Sequence, residues 1–103
     1  MIAPPPLPHD PGCYLFTDRE NGILYVGKAK DLKKRVASYF RKSGHDQKTR
    51  MMLESAAGLD FFVTSTEVEA LILENSLIKK HQPRFNINLR DAKQYAYIQL
   101  TAE

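Results

Sequence analysis

The sequence predicts an α/β fold of the α+β kind: a small central antiparallel sheet, a β-hairpin plus a third strand, flanked by helices. Three observations predict it. Two apolar runs, Cys13–Phe16 and Ile23–Val26, bracket the turn residues Asp18-Arg19-Glu20-Asn21-Gly22. Stretches of helical periodicity follow the second run. A third run rich in aromatic and β-branched residues, Leu59–Thr64, falls between two of those stretches. The 103 residues fit one compact domain.

Residues 1–11 carry Pro4, Pro5, Pro6, Pro8 and Pro11, so they form a proline-rich arm, extended and either mobile or laid along the surface. Domain residues 12–100 and a tail, 101–103, follow. Asn21-Gly22 ends the hairpin turn between the first two strands. Asp31 caps a helix to about Phe40, with Leu32, Val36, Tyr39 and Phe40 on one stripe and Arg35 sharing a face with Tyr39. Ser43-Gly44 breaks that helix. Asp46 caps a second, with Met52, Leu53 and Ala56 inward and Gly58 as its C-terminal cap. Thr66 and Glu69 form a capping box at the start of a third helix. Its residues Val68, Ala70, Leu71, Ile72, Leu73, Leu77 and Ile78 make it apolar nearly all round, which predicts a central, covered helix. Lys79 and Lys80 suit its negative end, and Pro83 stops it. Phe85–Leu89 reads as extended, and Tyr95–Leu100 as a further edge strand.

At 43% hydrophobic and 26% charged, the composition is that of an ordinary globular protein. No apolar run reaches membrane-spanning length and no signal-peptide pattern opens the chain, so no membrane partner is expected. A single cysteine, Cys13, excludes an internal disulfide and suits a reducing, cytoplasmic setting. The net charge of +3 is modest, but the positive charge is clustered. Lys28, Lys30, Lys33, Lys34, Arg35, Arg41 and Lys42 face only Asp31 over 15 residues, and Lys79, Lys80 and Arg84 form a second cluster. Such runs read either as solvated helix faces or as a phosphate-binding surface.

Glu74 stands out chemically. Its helical neighbours Ala70, Leu71, Leu77 and Ile78 are all apolar. A carboxylate on such a face needs a basic partner, a metal or a cleft. Tyr14 and Tyr25 fall at corresponding places on the two hairpin strands, each beside a glycine, Gly12 or Gly27. They read either as ordinary strand aromatics or as phenols at a site whose bare backbone lets a DNA strand approach. His9, His45 and His81 are scattered, which argues against a structural zinc site. No phosphate-loop or dinucleotide fingerprint occurs. Asn86 reads as a turn residue or a site amide.

Together these residues resemble the GIY-YIG nuclease family. Gly12-Cys13-Tyr14 stands for its first triplet and Tyr25-Val26-Gly27 for its second. The triplets alone are weak signals. Two longer runs, Tyr25 to Arg35 and Glu74 to Asn86, look closely like the UvrC branch, the incision subunit of nucleotide excision repair. The resemblance runs from about Pro11 to Leu100. It implies an N-terminal nuclease domain making the incision 3′ to a lesion in double-stranded DNA, alongside a UvrB-type damage-recognition partner, with the domain itself a monomer. It implies one divalent ion, Mg²⁺ or Mn²⁺, on Glu74, an essential cation at Arg35, and a site lysine at Lys28. Tyr14, Tyr25, Tyr39 and Asn86 match the other site positions. DNA contacts are then expected from Gly27, Lys28, Lys30, Lys33, Lys34, Arg35, Arg41, Lys42, Lys79, Lys80 and Arg84. Cys13 departs from the aliphatic residue more usual in the family. Tyr25 is placed first and Tyr14 second as general base, with Lys28, Arg35 and the metal expected to favour the phenolate. A GIY-YIG nuclease of structure-specific or homing type, or a non-catalytic DNA-binding module, is the alternative.

Overall fold

A computed structural model describes residues 5–41 and 44–86. The expected strand at Tyr95–Leu100, the end of the Phe85–Leu89 stretch and Lys42 lie outside these residues.

Strands β1 (Gly12–Thr17), β2 (Ile23–Ala29) and β3 (Gly58–Val63) form one antiparallel sheet in the order β2-β1-β3. All six residues of the central β1 are buried. At the hairpin turn Asn21 takes the left-handed conformation, φ 64°, which asparagine tolerates well. The Asp18 carboxylate accepts from the Glu20 and Gly22 amides at 2.9 and 2.8 Å, pinning the turn.

The register corrects one expectation. Tyr14 lies opposite Gly27, and Tyr25 opposite Phe16, so the two tyrosines are diagonal neighbours. A bulge is responsible: Phe16 pairs with Tyr25 but Thr17 with Ile23, which leaves Leu24 without a partner.

Helix α1 (Leu32–Ser38) is capped by Asp31, α2 (Gln47–Ser55) by Asp46 and α3 (Glu67–His81) by Thr66. In the Thr66–Glu69 box the glutamate reaches back to the Ser65 amide, 2.8 Å away. Gly58 does not cap α2. It opens β3, where a side chain would run into Thr17 Oγ1. Residues 8–10 of the arm lie against the start of α1: Asp10 O and Pro8 O accept from the Leu32 and Lys33 amides at 2.9 and 3.1 Å.

Strand alternation gives the sheet two different faces. Tyr14 and Phe16 point into a core with Leu32 and Val36 of α1 and Met52 and Leu53 of α2. The opposite face carries Cys13, whose thiol donates to the Ala70 carbonyl at 3.1 Å and thereby locates α3. Among the described residues the expectation of a covered α3 fails. Ala70 is its only buried residue, while Val68 and Ile72 are 64% and 62% exposed. A three-stranded sheet is too narrow to cover more than one side of a 15-residue helix. At its end Gln82 turns left-handed, and the buried Pro83 sends the chain back to β2.

Candidate active site

Tyr14 is 0% exposed. Its hydroxyl lies 2.7 Å from that of Tyr39 and accepts from Arg35 Nε at 3.2 Å. With Arg35 donating, the Tyr14 proton is free to point at Tyr39. The Arg35 guanidinium also sits 5.4 Å from the centre of the Tyr39 ring, so helical spacing and the Tyr14 bond fix one cation on two aromatic groups. The Tyr14 hydroxyl holds the Arg35 pKa up, and the guanidinium stays charged. Tyr25, half-buried, stands 6.3 Å from Tyr14 between ring centres.

These phenols are not primed to ionise. Burial is the main cause in each: it pushes Tyr25 up to about 12, and raises Tyr14 and Tyr39 as well. Arg35 pulls each of them down, without prevailing. The expectation that nearby cations favour the phenolate is therefore corrected for the protein groups: desolvation outweighs them.

The glycines have a different reason from the one expected. A side chain on Gly27 would occupy the space of the Tyr14 ring, and one on Gly12 would meet the Phe62 carbonyl. Gly27 is buried. Its bare backbone admits a tyrosine of the same protein, so the anticipated contact of Gly27 with DNA has no accessible surface behind it.

Glu74 sits on α3 one turn after Ala70, half-buried rather than buried. Desolvation raises its pKa, while the charge and backbone amide of Lys28 on the neighbouring strand pull it down. Among the described residues no basic group lies within ion-pair distance of it. Its charge is also felt at Tyr25. Cys13, enclosed between sheet and helix, is pushed up to about 11, mainly by burial, which makes it an inert thiol.

Asn86 is bound to the edge of β2. Its side chain accepts from the Val26 amide at 2.7 Å and donates to the Val26 carbonyl at 2.9 Å, as a ladder partner would. The Phe85 amide bonds Leu24 O at 2.9 Å, so the turn after α3 closes the free edge of β2 beside Tyr25. Of the expected DNA contacts, Lys28, Lys30, Lys33, Lys34, Arg35, Arg41, Lys79, Lys80 and Arg84 are all exposed.

A cavity of about 390 Å³ opens next to Tyr25, Arg35 and Tyr39. His45 and Lys48 line it too. Sequence reasoning passed over both, because a lone histidine and a helix lysine carry no spacing signal. The return of α2 against the end of α1 brings them there.

A family model for the UvrC-like GIY-YIG domain matches residues 10–87. The chain belongs to that family. It is 66% identical over 103 residues to UvrABC system protein C of Methanosarcina acetivorans, covering 100% of this chain and 20% of that protein. With UvrABC system protein C of Methanospirillum hungatei it shares 56% over 95 residues, 92% of this chain and 18% of the relative. The chain thus spans about one fifth of the length of the curated relatives it matches. Among solved structures it is similar to the GIY-YIG N-terminal endonuclease domain of UvrC from Thermotoga maritima, bound to its catalytic divalent cation, magnesium. That match has a TM-score of 0.72 and 38% identity, over 79% of this chain and 88% of the other. A variant of the same domain with one asparagine replaced by alanine, also bound to its catalytic divalent cation, gives a TM-score of 0.73 at 36% identity, over 80% of this chain and 88% of that one.

Proposed function

We propose that the chain is a divalent-metal-dependent DNA endonuclease domain that hydrolyses the phosphodiester 3′ to a lesion in duplex DNA, as part of a UvrC-type excision-repair protein. The observation that carries this reading is Glu74. It is a half-buried carboxylate with no ion-pair partner among the described residues, coupled in charge to both Lys28 and Tyr25. Family membership and the magnesium-bound neighbour support it.

The donor set fits a hard ion. Mg²⁺ and Mn²⁺ take oxygen ligands and keep several waters, so one protein carboxylate suffices. Bound at Glu74, the ion would supply Lewis-acid stabilisation of the charge on the leaving oxygen. Arg35 stabilises the charge that builds on the phosphate, and Tyr14 and Tyr39 hold its guanidinium in place. Tyr14 has no exposed surface and its hydroxyl is engaged on two sides, so its part is positioning. Tyr25 borders the open cavity, and it is the phenol we assign to the attacking water. Lys28 pulls the Glu74 pKa down against the larger effect of burial and offers a charge to the phosphate. Asn86 anchors the turn beside Tyr25. The lysines of α1 and of the end of α3 hold the duplex. A UvrB-type partner that presents the lesion, a monomeric domain and a cytoplasmic setting belong to the same reading.

The test is cleavage of a lesion-bearing duplex beside an undamaged duplex, a flap and a junction, with Mg²⁺, Mn²⁺ or EDTA. Metal-dependent cutting that prefers the lesion is expected once the UvrB-type partner is added. Preference for the flap or junction would move the chain to another GIY-YIG activity. Metal-independent binding without any product would leave a DNA-binding module.

A further inference from the structure

The cavity between α1 and α2 is lined by more residues than Tyr25, Arg35 and Tyr39. Its volume of about 390 Å³ lies within the range of clefts that hold small organic ligands. Part of its lining is cationic, with Arg41 and Lys48 as well as His45. Asp46 brings the opposing carboxylate, and that group is turned onto its own helix, accepting from the Thr49 amide at 2.7 Å. The wall is braced: His45 Nε2 lies 3.0 Å from the Arg41 carbonyl. Met52 and Phe85 give the cavity an apolar lining, and the Arg84 guanidinium lies 4.9 Å from the centre of the Phe85 ring. A cationic wall joined to an apolar and aromatic lining matches the two parts of a nucleotide, a phosphate and a base with a π-face.

We propose that this cavity takes the nucleotide adjoining the scissile phosphate. Lys48, Arg41 and His45 hold the next phosphate of the cut strand, and Phe85 receives the unstacked base, with Met52 itself buried in the core. Such a subsite selects for a strand whose stacking is already weakened, because drawing a base out of intact duplex costs a few kcal/mol. It therefore favours distorted DNA without recognising any particular lesion. This inference rests on the endonuclease reading above and extends it to substrate selection.

Lys48→Ala and a His45→Ala/Lys48→Ala double variant test it, since neither residue belongs to the Tyr14–Tyr39–Arg35 cluster. On a lesion-bearing duplex with Mg²⁺ and the UvrB-type partner, kcat/KM should fall about five- to tenfold in Lys48→Ala and further in the double variant, carried by KM. The second arm needs no metal and no cleavage. In EDTA, a thymidine dinucleotide should shift the amide NMR signals of Lys48, Thr49 and Met52 in the wild type and leave them in place in the double variant. Inorganic phosphate at the same concentration should leave the Met52 signal unmoved. An unchanged KM overturns the proposal. So does a KM effect without the dinucleotide shifts, or a Met52 shift with phosphate alone. A wild-type chain that cuts nothing even with the UvrB-type partner, yet shows the dinucleotide shifts, would instead sink the endonuclease reading and leave only a nucleotide-binding cleft.

Discussion

The two faces of the sheet carry the two halves of the proposed site, and they are built in opposite ways. On the α1 and α2 face the chemistry lies inside the core. Tyr14 is 0% and Tyr39 7% exposed, and both pack with Phe16, Leu32 and Val36. On the α3 face the helix buries Ala70 alone, and Glu74 stands half-exposed without an ion-pair partner among the described residues. On the first face the atoms proposed for catalysis also serve stability. On the second the two roles separate. Substitutions should therefore behave differently on the two sides.

The largest effect is expected from Glu74→Gln. Removing the carboxylate that would hold the metal should lower cleavage by about 10³-fold or more, since such an ion supplies several kcal/mol of transition-state stabilisation. The melting temperature should stay level or rise slightly. Burial raises the Glu74 pKa in the folded chain, so at neutral pH its ionised form costs stability, and a neutral amide relieves that cost. Cleavage at the wild-type rate would remove Glu74 from the site. A loss of more than about 1 kcal/mol in a denaturant melt would show that the α3 face is not the open one.

Arg35→Ala comes next. Losing the guanidinium should cost about 3 kcal/mol of transition-state stabilisation, roughly a hundredfold in kcat. Because Arg35 donates to Tyr14 and lies over Tyr39, stability should fall too, by about 1 kcal/mol. That joint loss, absent in Glu74→Gln, is the mark of the packed face.

Tyr14→Phe isolates the coupling further. It leaves Arg35 Nε and the Tyr39 hydroxyl without their partner in the core, which should cost about 1–2 kcal/mol of stability. Cleavage should fall about tenfold, through a less well held Arg35, with KM little changed. The same burial fixes the alkaline behaviour. The three phenols have raised pKa values in the folded chain, Tyr25 up to about 12. Between the ordinary tyrosine value near 10 and that range, the unfolded chain has released protons that the folded chain retains. Their contribution is complete below about pH 10 and is lost as pH climbs toward 12. A urea series across that range should show falling stability, and a flat profile would mean the phenols are more solvated than their packing indicates.

The sequence made local features legible and left relational ones hidden. Asp31, Asp46 and Thr66 were readable as caps because a cap depends on a few adjacent residues. The hairpin turn was readable for the same reason. Glu74 was readable as the one charge on an apolar stretch. The pairing of Tyr14 with Gly27 was not, because a bulge at Leu24 shifts the register by one residue. Gly58 was misread because a glycine after a helix suits either a cap or a crowded strand position, and only Thr17 across the sheet decides. The role of Gly27 was hidden in the same way, since it depends on where the Tyr14 ring lands. The ease of ionising the phenols was misjudged because sequence shows neighbouring cations and not the depth of burial.

The smallest effect tests the widest of these misreadings. The apolar surround of α3 predicted a covered helix, and the structure leaves Ile72 62% exposed. Ile72→Lys separates the two views. In a covered helix the lysine would bury an unpaired charge and cost several kcal/mol. On the observed face it meets water, and lysine is a good helix former, so stability should change by less than about 0.5 kcal/mol. Cleavage should be unchanged as well, because Ile72 lies two residues before Glu74 and points away from it around the helix, 200° at 100° per residue. A large loss of stability would mean that residues beyond Asn86 cover this side of α3. The contrast between a packed face and an open one would then belong to the described residues and not to the whole chain.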